Sequence, residues 1–189
     1  MKLLKDKILE EGRVVGEDIL KVDSFLNHQI DVELLKEIGK EFKNRFNNKK
    51  ITKIITIEAS GIAIATLAAQ YFNVPVVFAK KTESRNLDND TYESQVHSFT
   101  KGITYSIKIS KRYLNEEDHV LILDDFLANG QAALGLIDLV NQSKAVVEGI
   151  GIVIEKGFQQ GGNLIRAKNI QLESLAILQS FEEKQIRFK

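Results

Sequence analysis

The sequence predicts an α/β fold, a mostly parallel twisted sheet flanked by helices, with a small hood from the N-terminal segment and the C-terminus as a second candidate contributor. Three observations predict it. From residue 53 onward, short runs rich in apolar and β-branched residues alternate with stretches of helical periodicity, the pattern of strand–helix–strand units. One run, Val120-Leu121-Ile122-Leu123, is apolar throughout, as a strand buried on both faces requires. The 189 residues are 43% hydrophobic, enough for one sizeable core. The chain therefore reads as a single domain, 1–189, with the hood at approximately 1–50 and the core at approximately 51–180.

Taken in order, residues 2–11 place Leu3, Leu4, Ile8 and Leu9 at helical spacing, and Gly12 stops them. Asp31 is an N-cap candidate for a second helix carrying Leu34, Leu35, Ile38, Phe42 and Phe46 on one face. Residues 53–57 form a β-branched strand, 62–71 a small-residue helix broken near Asn73, and 74–79 the next strand. Residues 80 to about 103 are polar with little periodicity and read as a long loop, a length that is usually functional or mobile. Residues 104–110 alternate like a half-exposed strand. A helix is expected at about 131–142 and an apolar strand at 149–154. Residues 172–178 are a last core strand or helix, and 186–188 are expected near the N-terminal segment.

Composition narrows the function. Lys+Arg and Asp+Glu both number 26, whereas a nucleic-acid binder carries a basic excess or stripe. There is no cysteine, which excludes disulfides and thiolate metal sites and suits a reducing compartment. His28, His97 and His119 are scattered. Charges interrupt the N-terminal apolar residues, and every apolar run stops well short of the roughly 20 residues of a membrane helix. The expectation is a cytoplasmic protein with neither nucleic-acid nor membrane partners.

The chemistry concentrates in residues 119–136. A buried strand ends in adjacent carboxylates, Asp124 and Asp125, followed by Phe126, Leu127 and a short glycine-containing loop that opens a helix. Paired carboxylates repel each other and need a ligand, solvent or a cation. They can accept hydrogen bonds from the vicinal hydroxyls of a sugar. Backbone amides at a glycine loop before a helix form an anion site. Together they read a sugar phosphate, although on composition alone an ordinary turn with an Asp cap explains the segment equally well.

The run Leu121-Ile122-Leu123-Asp124-Asp125-Phe126-Leu127-Ala128-Asn129-Gly130-Gln131-Ala132 resembles the signature of the type I phosphoribosyltransferases, an apolar strand, two acidic residues and a loop of the form A-T-G-x-T. Asn129 and Ala132 replace the two threonines, and this variant is similar to the form of the bacterial xanthine branch. The segments 21–31, 56–63, 74–81, 98–101 and 149–159 fall in the order expected for that branch, so the resemblance covers essentially the whole chain.

The resemblance implies a type I phosphoribosyltransferase fold and the synthesis of xanthosine 5'-monophosphate and pyrophosphate from xanthine and phosphoribosyl pyrophosphate. It implies Mg²⁺ bound mainly through the substrate, with no side-chain metal ligand assigned, and a homodimer. By the same resemblance Asp124 and Asp125 serve the reacting ribose. Ala128, Asn129, Gly130, Gln131 and Ala132 hold the 5-phosphate. Glu58, Ala59, Ser60 and Gly61 form the pyrophosphate loop, with Lys81 reaching the same group. Residues 82–103 correspond to a mobile catalytic loop, in which Ser98, Thr100 and Lys101 are candidate contacts. Lys156 would donate to the oxygen at position 6 of an oxopurine and repel the amino group of adenine. Leu20 and Asn27, from the hood, would contact the base, and Phe126 would stack on it, with Phe158 as a second stacking candidate. A guanine or hypoxanthine enzyme, and a non-catalytic sensor of phosphoribosyl pyrophosphate, are the alternatives.

Overall fold

The computed structural model describes residues 1–16, 18–81, 90–98, 102–182 and 185–189, with the backbone alone at Ser98 and Glu182. Its centre is a six-stranded sheet. The strands are β3 (Lys53–Ile57), β4 (Val76–Ala79), β7 (His119–Leu127), β8 (Val146–Lys156), β9 (Leu172–Glu182) and β10 (Gln185–Phe188), in the order β10-β9-β8-β7-β3-β4. Pairings among β4, β3, β7, β8 and β9 are all parallel, and β10 closes the far edge antiparallel to β9. Helices α2 (Val32–Arg45) and α3 (Ser60–Phe72) share one core with Ile54, Leu121 and Leu123. Helix α4 (Gln131–Gln142) covers the other face over Ile55, Val120 and Ile122. The expected α/β architecture is therefore present, with apolar residues of β3 and β7 feeding both cores.

The local signals acted as expected at several ends. Asp31 caps α2 by accepting from the Leu34 amide at 3.0 Å. Asn73 ends α3 in the left-handed conformation. The last core segment, open between strand and helix in the sequence, is strand β9 because it pairs with β8 over most of its length.

The hood is built from α1 (Lys2–Glu11), a hairpin of β1 (Arg13–Val15) and β2 (Ile19–Lys21), and a five-residue π-helical turn, Asp23–Asn27. Leu4, Ile8, Leu20, Val22, Phe25 and Leu26 bury into the α2/α3 core. The C-terminus joins here: the Lys5 ammonium donates to the Lys189 carbonyl at 2.8 Å and stands 5.1 Å from the Phe188 ring centre.

One expectation is corrected. Residues 91–98, read as part of a long loop, form strand β5 (Thr91–Ser98), paired antiparallel with β6 (Ile103–Ser110) in a two-stranded ribbon. Its sequence shows no clear period because β5 is an edge strand of the ribbon and, of its described side chains, buries only Val96, at 2% exposure, while Ile107 and Ile109 of β6 supply the ribbon's other buried apolar residues. Tertiary contacts hold it: Gln142 on α4 donates to the Glu93 carbonyl at 2.8 Å, and Gly135 leaves room for the Val96 side chain. Residues 82–89 and 99–101, with Thr100 and Lys101, lie outside the described residues, as does the Ser98 side chain.

Candidate active site

The chain runs from β3 outward to β4, then returns to the other side of β3 as β7, so the switch in strand order lies between β3 and β7. Beyond the carboxyl ends of strands at such a point, diverging loops leave a crevice for ligands. The ends of β3, β4, β7 and β8 carry Glu58, Lys80-Lys81, Asp124-Asp125 and Lys156.

Asp124 is 5% exposed. Burial first, and the neighbouring Asp125 charge second, hold its carboxyl well above the ordinary carboxylate range, with Lys81 acting in the opposite sense. Its Oδ1 accepts from the Asp125 amide at 2.9 Å, and Asp125 Oδ1 accepts from the Phe126 amide at 2.9 Å. Asp125 Oδ2 also accepts from the Asn27 side-chain amide at 3.3 Å. The π-helical turn thus brings Asn27 of the hood onto the acid pair.

The loop that follows turns at Gly130, whose φ of 84° only glycine adopts without strain. Helix α4 begins directly after it with no side-chain cap, which leaves first-turn amides free to meet an anion. Ala128, Asn129, Gly130, Gln131 and Ala132 line a cavity of about 160 Å³. Val96, His97 and Tyr105 of the ribbon form its other wall. The sequence reading missed this wall, because only the pairing of β5 with β6 reveals it. Tyr105 lies 5.6 Å, ring centre to Nζ, from the Lys81 ammonium. Burial, then the Asp124 charge, raise the pKa of its hydroxyl.

Glu58, after β3, is tied to the backbone at the end of β4. Its carboxylate accepts from the Lys81 backbone amide at 2.5 Å, a backbone partner that lets a carboxylate sit beside an anion site. The Glu58–Ala59 peptide is cis. Ala59 precedes α3 and Ser60 is its first residue, again with no side-chain cap. At Gly61 a Cβ would overlap the Thr56 hydroxyl and stand 3.3 Å from Asp124 Oδ1, so glycine is needed for α3 to approach the acid pair.

The base-side candidates are spread differently. Lys156, at the end of β8, donates to the Asp18 carbonyl in the β1–β2 turn at 2.7 Å. Burial lowers its ammonium pKa. Leu20 is 6% exposed and packs its side chain into the core, which leaves its backbone as the part open to a ligand. Phe126 packs against the α2/α3 core and lines the loop cavity, while Phe158 stacks edge-on against Phe181, ring centres 5.3 Å apart. The structure thus gathers Asp124, Asp125, Asn27, Lys81 and the loops, and places Lys156 under the hood. A larger cavity, about 530 Å³, follows the β4 edge past Phe78, Lys80, Lys108 and Tyr113. It includes neither carboxylate of the acid pair and none of residues 128–132.

A second omission is Gly161-Gly162 at the start of α5 (Gly161–Arg166), whose Gly161 amide donates to the Ala128 carbonyl at 3.0 Å. The glycine pair in the sequence was the available signal.

Residues 22–180 match the model of the phosphoribosyl transferase domain. The chain belongs to the phosphoribosyltransferase family. A xanthine phosphoribosyltransferase from Clostridium novyi is 65% identical over 189 residues, covering 100% of both chains. One from Clostridioides difficile is 62% identical over 190 residues, again covering 100% of both. The adenine phosphoribosyltransferase structure from Giardia lamblia, complexed with 9-deazaadenine, superposes with a TM-score of 0.76 at 22% identity, covering 92% of this chain and 96% of that one. The Rhodothermus marinus adenine phosphoribosyltransferase gives 0.75 at 23% identity, covering 94% and 99%. These structural matches show the type I phosphoribosyltransferase fold.

Proposed function

We propose that this chain is a purine-salvage glycosyltransferase that joins xanthine to phosphoribosyl pyrophosphate, forming xanthosine 5'-monophosphate and pyrophosphate. The observation that carries the reading is the meeting, at one switch point, of the acid pair and the uncapped glycine loop. Whole-length identity to xanthine phosphoribosyltransferases supports the choice of base.

In the reaction a ring nitrogen of the base bonds to the anomeric carbon of the ribose as the bond from that carbon to pyrophosphate breaks. The nitrogen's proton passes to solvent. Amides of Ala128, Asn129, Gly130, Gln131 and Ala132 hold the 5-phosphate. Asp124 and Asp125 accept from the ribose hydroxyls and face the positive charge that develops at the anomeric carbon. Amides of Ala59, Ser60 and Gly61, held by the Glu58 contact to Lys81, take the pyrophosphate with the Lys81 ammonium. Lys156 leaves the Asp18 carbonyl to donate to the oxygen at position 6 of the base. Asn27 and the Leu20 backbone read the edge of the ring, and Phe126 supplies stacking surface.

Among the described residues no three His, Asp or Glu side chains gather into a metal cage. The acid pair instead fits Mg²⁺ whose remaining oxygens come from substrate, the usual arrangement for that ion. When bound, the ion neutralises departing pyrophosphate. No described helix is long and apolar enough to cross a membrane, and a cytoplasmic homodimer completes the proposal.

A magnesium-dependent turnover assay with phosphoribosyl pyrophosphate against xanthine, guanine, hypoxanthine and adenine tests it. Xanthine is expected to give the highest kcat/KM. Fastest turnover of adenine would overturn the role given to Lys156, and no turnover of any base would overturn the enzyme reading.

A further inference from the structure

Two consecutive glycines connect the sugar-phosphate loop to a half-buried ion pair, Glu155–Arg166, whose side chains bond to no candidate substrate residue. A Cβ on Gly161 would overlap the Ala128 carbonyl oxygen and stand 2.7 Å from the Gly130 nitrogen. A Cβ on Gly162 would overlap Glu155 Oε1 and Arg166 Nη1. One glycine therefore lies against the loop and the next against the ion pair.

The pair is closely made. Glu155 is 2% exposed. Arg166 donates from Nη1 to Oε1 at 2.8 Å and from Nη2 to Oε2 at 2.7 Å, and the Ser174 hydroxyl donates to Oε2 at 2.5 Å. Three donors thus meet one buried carboxylate. Burial pushes the Glu155 pKa up, but Arg166 and Ser174 outweigh it and leave the group below its usual range. An ion pair with one partner buried and the other partly exposed adds little stability over well-packed apolar groups, so its geometry is the more informative property. That geometry spans three elements: Glu155 on β8, Arg166 at the last turn of α5, and Ser174 on β9. Helix α5 has six residues, too few to hold itself in place. Its two ends are fixed from outside, Arg166 by Glu155 and Gly161 by Ala128. Glu155 does not support Lys156 directly, because neighbouring strand residues point to opposite faces and the Lys156 ammonium is on the Asp18 carbonyl.

We propose that Glu155, Arg166 and Ser174 form a positioning clamp for the sugar-phosphate loop. By fixing α5 between β8 and β9, the clamp holds Gly161 against Ala128 and Gly130, and so sets the amide geometry that receives the 5-phosphate. These are positioning residues, and the proposal rests on the reading of residues 128–132 as the phosphate loop.

Steady-state kinetics on Arg166→Gln, Arg166→Lys, Ser174→Ala and Gly130→Ala in the full-length protein test it. Arg166→Gln is expected to raise KM for phosphoribosyl pyrophosphate on the order of tenfold, since small misplacements of a binding group have effects of this size or more. KM for xanthine should change by less than about twofold, well inside one such tenfold step. Arg166→Lys should restore part of the loss, and Ser174→Ala should show the same split more weakly. If Arg166→Gln does not fold, Ser174→Ala carries the test. Equal rises in both KM values, or a rise for xanthine alone, would overturn the clamp. So would wild-type constants in Arg166→Gln and Ser174→Ala when Gly130→Ala impairs phosphoribosyl pyrophosphate, an outcome that leaves the loop reading intact. Unchanged KM in Gly130→Ala would instead remove the loop reading and the clamp with it.

Discussion

The two ends of the parallel sheet handle charge in opposite ways. At the amino ends of β3, β7 and β8 the charges are spent on one another. Lys53 meets Asp118 at 2.7 Å, with side chains only 12% and 11% exposed, and Glu148 is in hydrogen-bond contact with the His119 ring at 2.6 Å and 3.8 Å from the Lys49 ammonium. Asp118 also accepts from the Asn115 amide at 3.0 Å. At the carboxyl ends, Asp124, Asp125, Lys81 and Lys156 make no ion pair among the described residues. Asp124 is buried beside another carboxylate and is held above its usual pKa. A fold pairs the charges that serve only its own stability. Charges kept unpaired near a crevice at a cost are those available to a ligand. Glu155–Arg166 is the exception at the site end, and its full pairing marks it as support rather than contact.

The largest expected effect comes from neutralising the unpaired end. Asp124→Asn combined with Asp125→Asn should lower kcat/KM on the order of a hundred- to a thousandfold while the protein remains folded by circular dichroism. Asp124→Asn alone should also stabilise the free protein at neutral pH. A raised folded pKa means that the stability Asp124 contributes is present below the ordinary aspartate range and is lost as pH rises through the raised value. Melts at acid and neutral pH should therefore show the gain only at the higher pH, at roughly 2–4 °C per kcal/mol of relieved repulsion.

The paired end should respond in the reverse sense. Lys53→Met leaves Asp118 buried without its partner and should cost about 3 kcal/mol in urea unfolding. The kcat/KM of the folded fraction should stay close to the parent value. Equal damage to turnover would break the division between the two ends.

Lys156→Met should raise KM for xanthine about tenfold, the scale of one charged hydrogen bond, with little change for phosphoribosyl pyrophosphate. Its discrimination against adenine should narrow in the same assay.

The smallest effect concerns the clamp and acid. The lowered Glu155 pKa gives stability that is present above the ordinary glutamate range and lost as pH falls through the lowered value. Arg166 is 43% exposed, so Arg166→Gln should cost about 1–2 kcal/mol at pH 7, less than a fully buried pair. That gap should shrink in melts run in progressively more acid buffer.

By itself the sequence determined the architecture, wherever a single element carried its own signal. The apolar run before Asp124 read as a doubly covered strand, and Asp31 and Asn73 marked helix ends through local backbone chemistry. The adjacent carboxylates and the glycine after them are contiguous, so the core of the candidate site was legible too. Tertiary structure alone decided what depends on residues distant in the chain. Polar strand β5 exists because β6 pairs with it and α4 supports it, not because of any period of its own. Asn27 meets Asp125 across 98 positions, Tyr105 and His97 wall the loop from the ribbon, and Gly161 and Gly162 link that loop to Arg166. Hydrogen bonds and close packing act over a few ångströms in space, while sequence patterns report only on neighbours within a turn or a strand. The chain therefore shows its strands and its acid pair in one dimension, and the clamp, the hood contact and the second wall only in three.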